Sequence, residues 1–521
     1  MFTKRLTILL LLITSSSILI SQVKFSSDFD SGSIGSHKLI DSTWIQRAEG
    51  DSLLTLSYEI HSRFDPLNPI DTTLKPSARW YHFRMEGVKG KQIFLNIKNS
   101  ETIRPFYSYD GINYQRFEQV ENLFKGSVNK IFTQDTVYIS HFIPYNYSRL
   151  LDKMEEWGSK PFVIKEVIGH SSLGLPIEML TVTDNSINNS KKKKVWIHGR
   201  SHPSEAPASW HLEGMIDQIL SDTPFAKELR KNTIFYLVPF INPDGVKGGF
   251  SRSSSTGVNI EINWDRPDSI TMPEIKALKG ALEKVTKERP LDLLLNMHTQ
   301  ISSSITYWIH TAESTTEEFL RKQLLLSALT INYSSYYRPE DQLFSAVAPR
   351  YVEGWVWDRF AEKTIAITFE TPYTYYNQDR EGPWVSIENL KELSTSSLYS
   401  VCDLLDLDKK HRILIDPTEQ KTPRRWEKSE ENSSIYFGDS YLVAEKEGAK
   451  LKYSIDNLAK GKYTLYRWKV GPAEKVFPTD INVWSKEAIV IQKRDGRFNY
   501  KIKATEPGEK ADALLLVKEI Y

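Results

Sequence analysis

The stretch that decides the fold is Lys194-Val-Trp-Ile-His-Gly-Arg-Ser-His202-Pro-Ser-Glu205-Ala-Pro-Ala-Ser-Trp210. It opens on a short apolar run, Val195 to Ile197, that reads as a buried strand. It turns through Gly199 and Ser201 and continues into a helical pattern, in which Leu212, Met215, Ile216, Ile219 and Leu220 share one apolar face. His202 and Glu205 fall at the turn. In open α/β sheets ligands gather outside the carboxyl ends of the strands. An imidazole and a carboxylate three residues apart at such a place can face one divalent ion. The pair is weak evidence alone, because short matches recur by chance. The chain carries a second one, His310-Thr-Ala-Glu313.

Three other segments supply what a hydrolytic metal centre needs. A catalytic zinc takes three protein ligands and keeps one position open. His298 ends the apolar run Leu291-Asp-Leu-Leu-Leu-Asn-Met-His298 and completes a His, Glu, His set. A general base requires a carboxylate within reach of water. Glu370 closes Thr364-Ile-Ala-Ile-Thr-Phe-Glu370-Thr-Pro, where burial of an unpaired carboxylate is costly. The plainer reading of Glu370 is a salt-bridged residue at the sheet rim. An oxyanion stabiliser should be cationic and preorganised. Arg252 stands in Gly248-Gly-Phe-Ser-Arg252-Ser-Ser-Ser-Thr-Gly257, just after Asn242-Pro-Asp-Gly245. A flexible surface loop with an exposed arginine is the alternative there.

Composition bounds the rest. A chain of 521 residues with net charge +1 and 40% hydrophobic residues is long enough for about three domains and gives no support for nucleic acid as a partner. The single cysteine, Cys402, rules out an intrachain disulfide and reads as a buried thiol on a helix face. Residues 1–22 read as a signal peptide: Lys4 and Arg5 precede the apolar run Leu6 to Ile13 and small residues Ser15 to Ser17. That run is short for a bilayer span. The expectation is export, periplasmic or secreted, with no stable membrane span after signal removal. Residues 23–145 read as a β-rich N-terminal domain, with alternating runs such as Leu53 to Ile60 and Gln92 to Ile97. From 146 to 408 strands alternate with helices, which implies a central sheet covered on both faces. Residues 409–432 read as a linker, and 433–521 as a C-terminal β-domain.

The order His-Pro-Ser-Glu, Asn-Pro-Asp-Gly, an Arg in a Ser-rich loop, a strand-end His and a strand-end Thr-Phe-Glu resembles the zinc carboxypeptidase family. His202-Pro-Ser-Glu205-Ala-Pro-Ala-Ser-Trp210 is most similar to its cytosolic carboxypeptidase branch and bacterial relatives. Arg79-Trp-Tyr-His-Phe-Arg84 is similar to the β-domain that precedes the catalytic domain in that branch. The resemblance, which covers residues from about 40 to 408, implies an α/β fold with a central mixed sheet and helices on both faces; the flanking N-terminal and C-terminal segments read as β-sandwich domains from their own strand patterns. It implies one zinc ion held by His202, Glu205 and His298, activation of water by Glu370, and polarisation of the scissile carbonyl by Arg252. Tyr351 is the nearest match to the family's mobile tyrosine. The implied partner is a peptide or protein substrate. An amidase acting on cell-wall or modified peptides, and a non-catalytic peptide- or glycan-binding protein, are the alternatives.

One departure stands out. Where the family has Gly-Val-Asp-x-Asn-Arg-x-Trp, with the Asn-Arg pair gripping a terminal carboxylate, this chain has Gly257-Val-Asn-Ile-Glu261-Ile262-Asn-Trp264. An anion and an alkyl group cannot replace a bidentate guanidinium. Arg266 is close enough in sequence to substitute. Glu261 is expected to face something other than a plain α-carboxylate, such as a cationic or amidated end.

Overall fold

A computed structural model describes residues 23–518, apart from 49, 99–103, 406, 408–413, 430–433, 436–439, 459, 469–470 and 473–483. The segment read as a signal peptide, 1–22, lies outside the described residues. Among those described, no helix is long and apolar enough to cross a membrane.

The centre of the fold is an eight-stranded mixed sheet. Its spatial order is Val163–His170, Pro176–Val182, Thr233–Val238, Lys193–Gly199, Leu293–Gln300, Ile365–Pro372, Thr306–His310 and Leu343–Ser345. The four middle strands run parallel, while Pro176–Val182 and Thr306–His310 pair antiparallel at the two sides. Alternation along these strands feeds two cores. Val195, Ile197, Leu293 and Leu295 join the cluster under the helices Ala206–Ile219 and Ile387–Leu404. Trp196 and Leu294 point the other way, to the helices Pro273–Thr286 and Val352–Phe360. Burial on both faces explains why these strands read as continuous apolar runs. The chain passes from Lys193–Gly199 to the neighbour on one side and then to Leu293–Gln300 on the other. This reversal opens a crevice at the carboxyl ends, the usual ligand position in such sheets.

Two further β structures flank this core. In the N-terminal one, a four-stranded sheet (Ser36–Gln46, Ser52–His61, Gln92–Lys98, Ser127–Ile131) faces a five-stranded sheet containing His82–Glu86 and Thr136–Ser140. Leu56, Ile60, Phe83, Ile93, Leu95 and Ile139 fill the space between them. At the C-terminal end, the strands Leu514–Lys518, Gly461–Trp468 and Trp484–Gln492 form one sheet over a core of Leu442, Leu451, Tyr453 and Leu465. The segment 409–432, read as a linker, carries two strands of this region, Leu414–Ile415 and Trp426–Ser429. Trp468 and Leu515 reach into the main core, so this sheet is packed against the central fold. Cys402 is buried, as its helix face implies.

The N-terminal β structure sits directly on the loop after Thr233–Val238. Gly257 adopts φ +82°, and a Cβ there would lie 2.2 Å from the Leu67 carbonyl oxygen. Both the left-handed backbone and the close approach require glycine. Gly257→Ala is therefore expected to destabilise the fold by about 1–3 kcal/mol. Thermal unfolding checks this: an unchanged first transition would show that residues 66–67 do not press on the loop in solution.

Candidate metal centre

The turn after Lys193–Gly199 is built to aim His202. Arg200 takes a left-handed φ of 61° and is buried. Its guanidinium donates to Pro203 O at 2.6 Å, Tyr145 O at 3.1 Å and Ser209 Oγ at 2.9 Å. These bonds offset the cost of a buried charge and of the strained backbone. Asn242, of the Asn-Pro-Asp-Gly motif, donates through Nδ2 to Ser201 O at 3.0 Å and Ser253 O at 3.2 Å, and accepts from Gly245 N at 3.0 Å. Asp244 accepts from Leu173 N at 2.8 Å and Ser255 Oγ at 3.1 Å. That motif is therefore architectural: it joins the His202 turn to the Arg252 loop.

His202, Glu205 and His298 converge, with one ligand atom from each lying within 4.8 Å of the others, and all three side chains are buried. His202 Nδ1 and His298 Nδ1 each lie 2.7 Å from a different oxygen of Glu205. Thr299 N also donates to Glu205 Oε2 at 3.1 Å, fixing the carboxylate plane. Burial disfavours the Glu205 carboxylate, yet the two imidazoles outweigh it and hold its carboxyl well below the usual range. Burial pulls His202 down. It also opposes charge on His298, but Glu261 and Glu205 on either side raise that imidazole well above its ordinary value. Two imidazoles and a carboxylate in a dry site form the donor set of a single catalytic zinc. His202 Nε2 is buried and without a hydrogen-bond partner, so its ring answers to its Nδ1 side.

The other expected residues surround one cavity of about 450 Å³ beside this triad. Glu370 is in register with His298 on the adjacent parallel strand. Its Oε1 accepts from Trp308 Nε1 at 3.3 Å, while Oε2 is buried without a partner. Burial pushes the Glu370 carboxyl up, to about 8. His298 and the Trp308 N–H pull it down, and the carboxylates of Glu205 and Glu261 push it up. A divalent cation beside it acts in the opposite sense to those two acids. Arg252 and Tyr351 both line the cavity. So does Glu261, whose Oε1 accepts from Asn296 Nδ2 at 2.9 Å and whose Oε2 lies 3.0 Å from His298 Nε2. It thus lies against the Nε2 side of the His298 ring, away from the Nδ1 that meets Glu205, at ion-pair distance but outside hydrogen-bond geometry. Arg266 is not among the lining residues, whereas Arg350 is. His310 also faces the cavity, but Glu313 of the second His-x-x-Glu match is exposed and takes no part.

The Arg252 loop is gripped from the N-terminal β structure. Asp65, itself buried, accepts from Ser251 N at 2.6 Å, Arg252 N at 2.7 Å and Ser253 N at 3.0 Å. Ser251 Oγ in turn accepts from Arg79 N at 2.8 Å and Trp80 N at 2.9 Å. Asp65 has no marker in the sequence; the Arg79 to Arg84 motif beside it was the available signal.

Two measurements check this site. The purified chain is expected to hold one equivalent of zinc by elemental analysis, removable by a chelator, and His298→Ala is expected to lose it. Asp65→Ala is expected to keep the zinc while the amides of residues 251–253 exchange with solvent at least about tenfold faster, since three charge-assisted bonds are removed. Unchanged exchange would mean that the loop holds its shape without Asp65.

Residues 148–378 match the zinc carboxypeptidase family. The chain is 25% identical over 341 residues to cytosolic carboxypeptidase 6 of Mus musculus, covering 60% of this chain and 59% of that one. It is 32% identical over 171 residues to cytosolic carboxypeptidase 3 of the same organism. The first of these relatives is thus spanned over about three-fifths of its length. Among solved structures, a putative carboxypeptidase A from Shewanella denitrificans aligns with a TM-score of 0.59 and 25% identity, covering 74% of this chain and 99% of that one. A metallo-carboxypeptidase from Burkholderia cenocepacia shares the fold, with a TM-score of 0.61 at 20% identity. The domain that carries His202, Glu205 and His298, residues 148–378, belongs to the zinc carboxypeptidase family.

Proposed function

We propose that the chain is a zinc-dependent metallopeptidase of the carboxypeptidase type, acting on a peptide or protein. The observation that carries this reading is that a buried His, Glu, His triad shares one cavity with a carboxylate free at one oxygen and with a guanidinium on a tethered loop. Zinc, when bound, supplies a Lewis acid that polarises a carbonyl and lowers the pKa of water. His202, Glu205 and His298 hold it. Glu370 Oε2, which makes no bond within the protein, takes the proton of the attacking water and returns it to the leaving amine. Arg252 faces the developing oxyanion, and the Asp65 clamp keeps it there before substrate arrives. Tyr351, at the first turn of Val352–Phe360, closes the rim.

The division into 23–145, 146–408 and 433–521 is carried as part of this proposal, with the flanking β-domains shaping access to the cavity. So is export directed by residues 1–22. The amidase reading uses the same centre, but the rim arginines Arg252 and Arg350 favour a substrate that presents a carboxylate.

The test is hydrolysis of a peptide pool by the zinc-loaded chain, with products read by mass spectrometry. Glu370→Gln should lower kcat by about 10²–10⁴-fold while keeping the zinc. Loss of single C-terminal residues supports the carboxypeptidase reading. Internal or side-chain cleavage would replace it with the amidase reading, and equal products from Glu370→Gln would refute the role of that residue.

A further inference from the structure

The inner wall of the cavity carries two carboxylates that share one amide. Asn296 Nδ2 donates to Glu261 Oε1 at 2.9 Å and to Glu353 Oε1 at 3.0 Å. Thr368 Oγ1 adds a bond to Glu353 Oε1 at 2.5 Å. Both acids are buried, at 6% and 4% exposure, and both line the cavity. Among the described residues no lysine or arginine pairs with either one, and the imidazole of His298 is the one ion-pair partner of Glu261. Two buried acids held on one neutral amide, with no lysine or arginine beside them, are an expensive arrangement. It becomes favourable when a cation enters from outside.

The outer wall has the opposite character. Arg350 is exposed, and Arg252 and Tyr351 are partly so. Among the described residues neither guanidinium forms an ion pair; that of Arg350 lies over the Tyr351 ring, 4.9 Å from its centroid. The main chain of Arg350 is fixed by Trp264 N, which donates to its carbonyl at 3.1 Å. A guanidinium so placed can take a carboxylate by two parallel bonds. The cavity is therefore cationic outside and anionic inside, with the metal triad at its side.

We infer that this cavity selects a peptide whose C-terminal residue is basic, with the side-chain cation seated against Glu353 and Glu261 and the terminal carboxylate held by Arg350. This rests on the peptidase reading above. Arg350 takes over the grip that Ile262 cannot supply, and Glu261 in place of asparagine becomes part of the cation's seat. The residue that sets the preference is Glu353, in the first turn of Val352–Phe360, which touches no metal ligand in the hydrogen-bond network.

The experiment compares matched N-blocked peptides ending in Lys, Arg, Glu or Phe with the zinc-loaded full chain. Peptides ending in Lys or Arg should exceed those ending in Glu or Phe by at least about tenfold in kcat/KM. Glu353→Gln should collapse that ratio by about tenfold or more, chiefly through KM for the basic peptides. A wild type that prefers Glu or Phe, or a Glu353→Gln variant that keeps the full basic preference, overturns the inference. Calorimetry separates this from the underlying reading. If no peptide is cleaved, yet lysine binds at least about tenfold tighter than its neutral isostere norleucine, the hydrolase reading fails and the cation seat stands. Equal binding of the two amino acids refutes the seat whether or not peptides are cleaved. Loss of the ratio in Glu353→Gln counts only with circular dichroism and zinc content unchanged. Where that variant fails to fold, the lysine–norleucine comparison on the wild type decides.

Discussion

A buried carboxylate between two imidazoles is the constraint on which this structure turns. Glu205 comes from the first residues after one parallel strand, His298 from the next strand, and the two are brought to 2.7 Å. Such a cluster is costly in a dry interior unless geometry and charge are both satisfied. The surrounding fold meets both demands. Parallel pairing of Lys193–Gly199 with Leu293–Gln300 sets the spacing of the two ligand-bearing segments. Arg200, Thr299 and Asn242 then fix the turn that carries the other two ligands. Apolar burial on both faces of the sheet leaves these atoms no freedom to spread apart.

Much of the catalytic core was legible in the sequence because its signals are local. The apolar runs Val195 to Ile197, Leu291 to His298 and Thr364 to Glu370 mark strands buried on both faces, and each gives a strand of the central sheet, Lys193–Gly199, Leu293–Gln300 and Ile365–Pro372. The helix Ala206–Ile219 follows from the apolar spacing of Leu212, Met215, Ile216 and Ile219. The triad was legible because His298 ends such a run and His202 and Glu205 fall in the turn that follows another.

What was not legible depends on residues far apart in the chain. Helix Tyr147–Gly158 buries Tyr147, Leu150, Met154 and Trp157, but its charged outer face hides this stripe at a domain junction. Strand Val163–His170 is a sheet edge with no fully buried position and lacks the apolar density of its neighbours. Asp65 and Glu353 gain meaning from partners far along the chain, 187 residues between Asp65 and Arg252 N and 57 between Asn296 and Glu353, and no spacing rule reaches that far. The Asn-Pro-Asp-Gly motif was read as the approach to an oxyanion loop. The structure gives the physical content: its side chains tie that loop to the metal turn.

The clamp of Asp65 on the Arg252 loop bears on the order in which the molecule becomes competent. His202 and Glu205 are three residues apart, Glu205 and His298 are 93 apart, and Asp65 and Arg252 are 187 apart. Closing a longer loop costs more entropy and slows the search for the contact. The metal-binding half of the machinery therefore has the shorter folding path, and the electrophilic half waits for one β structure to dock on another. The metal ligands can therefore come together while Arg252 is still unplaced, and the site is complete only once the two β structures have docked.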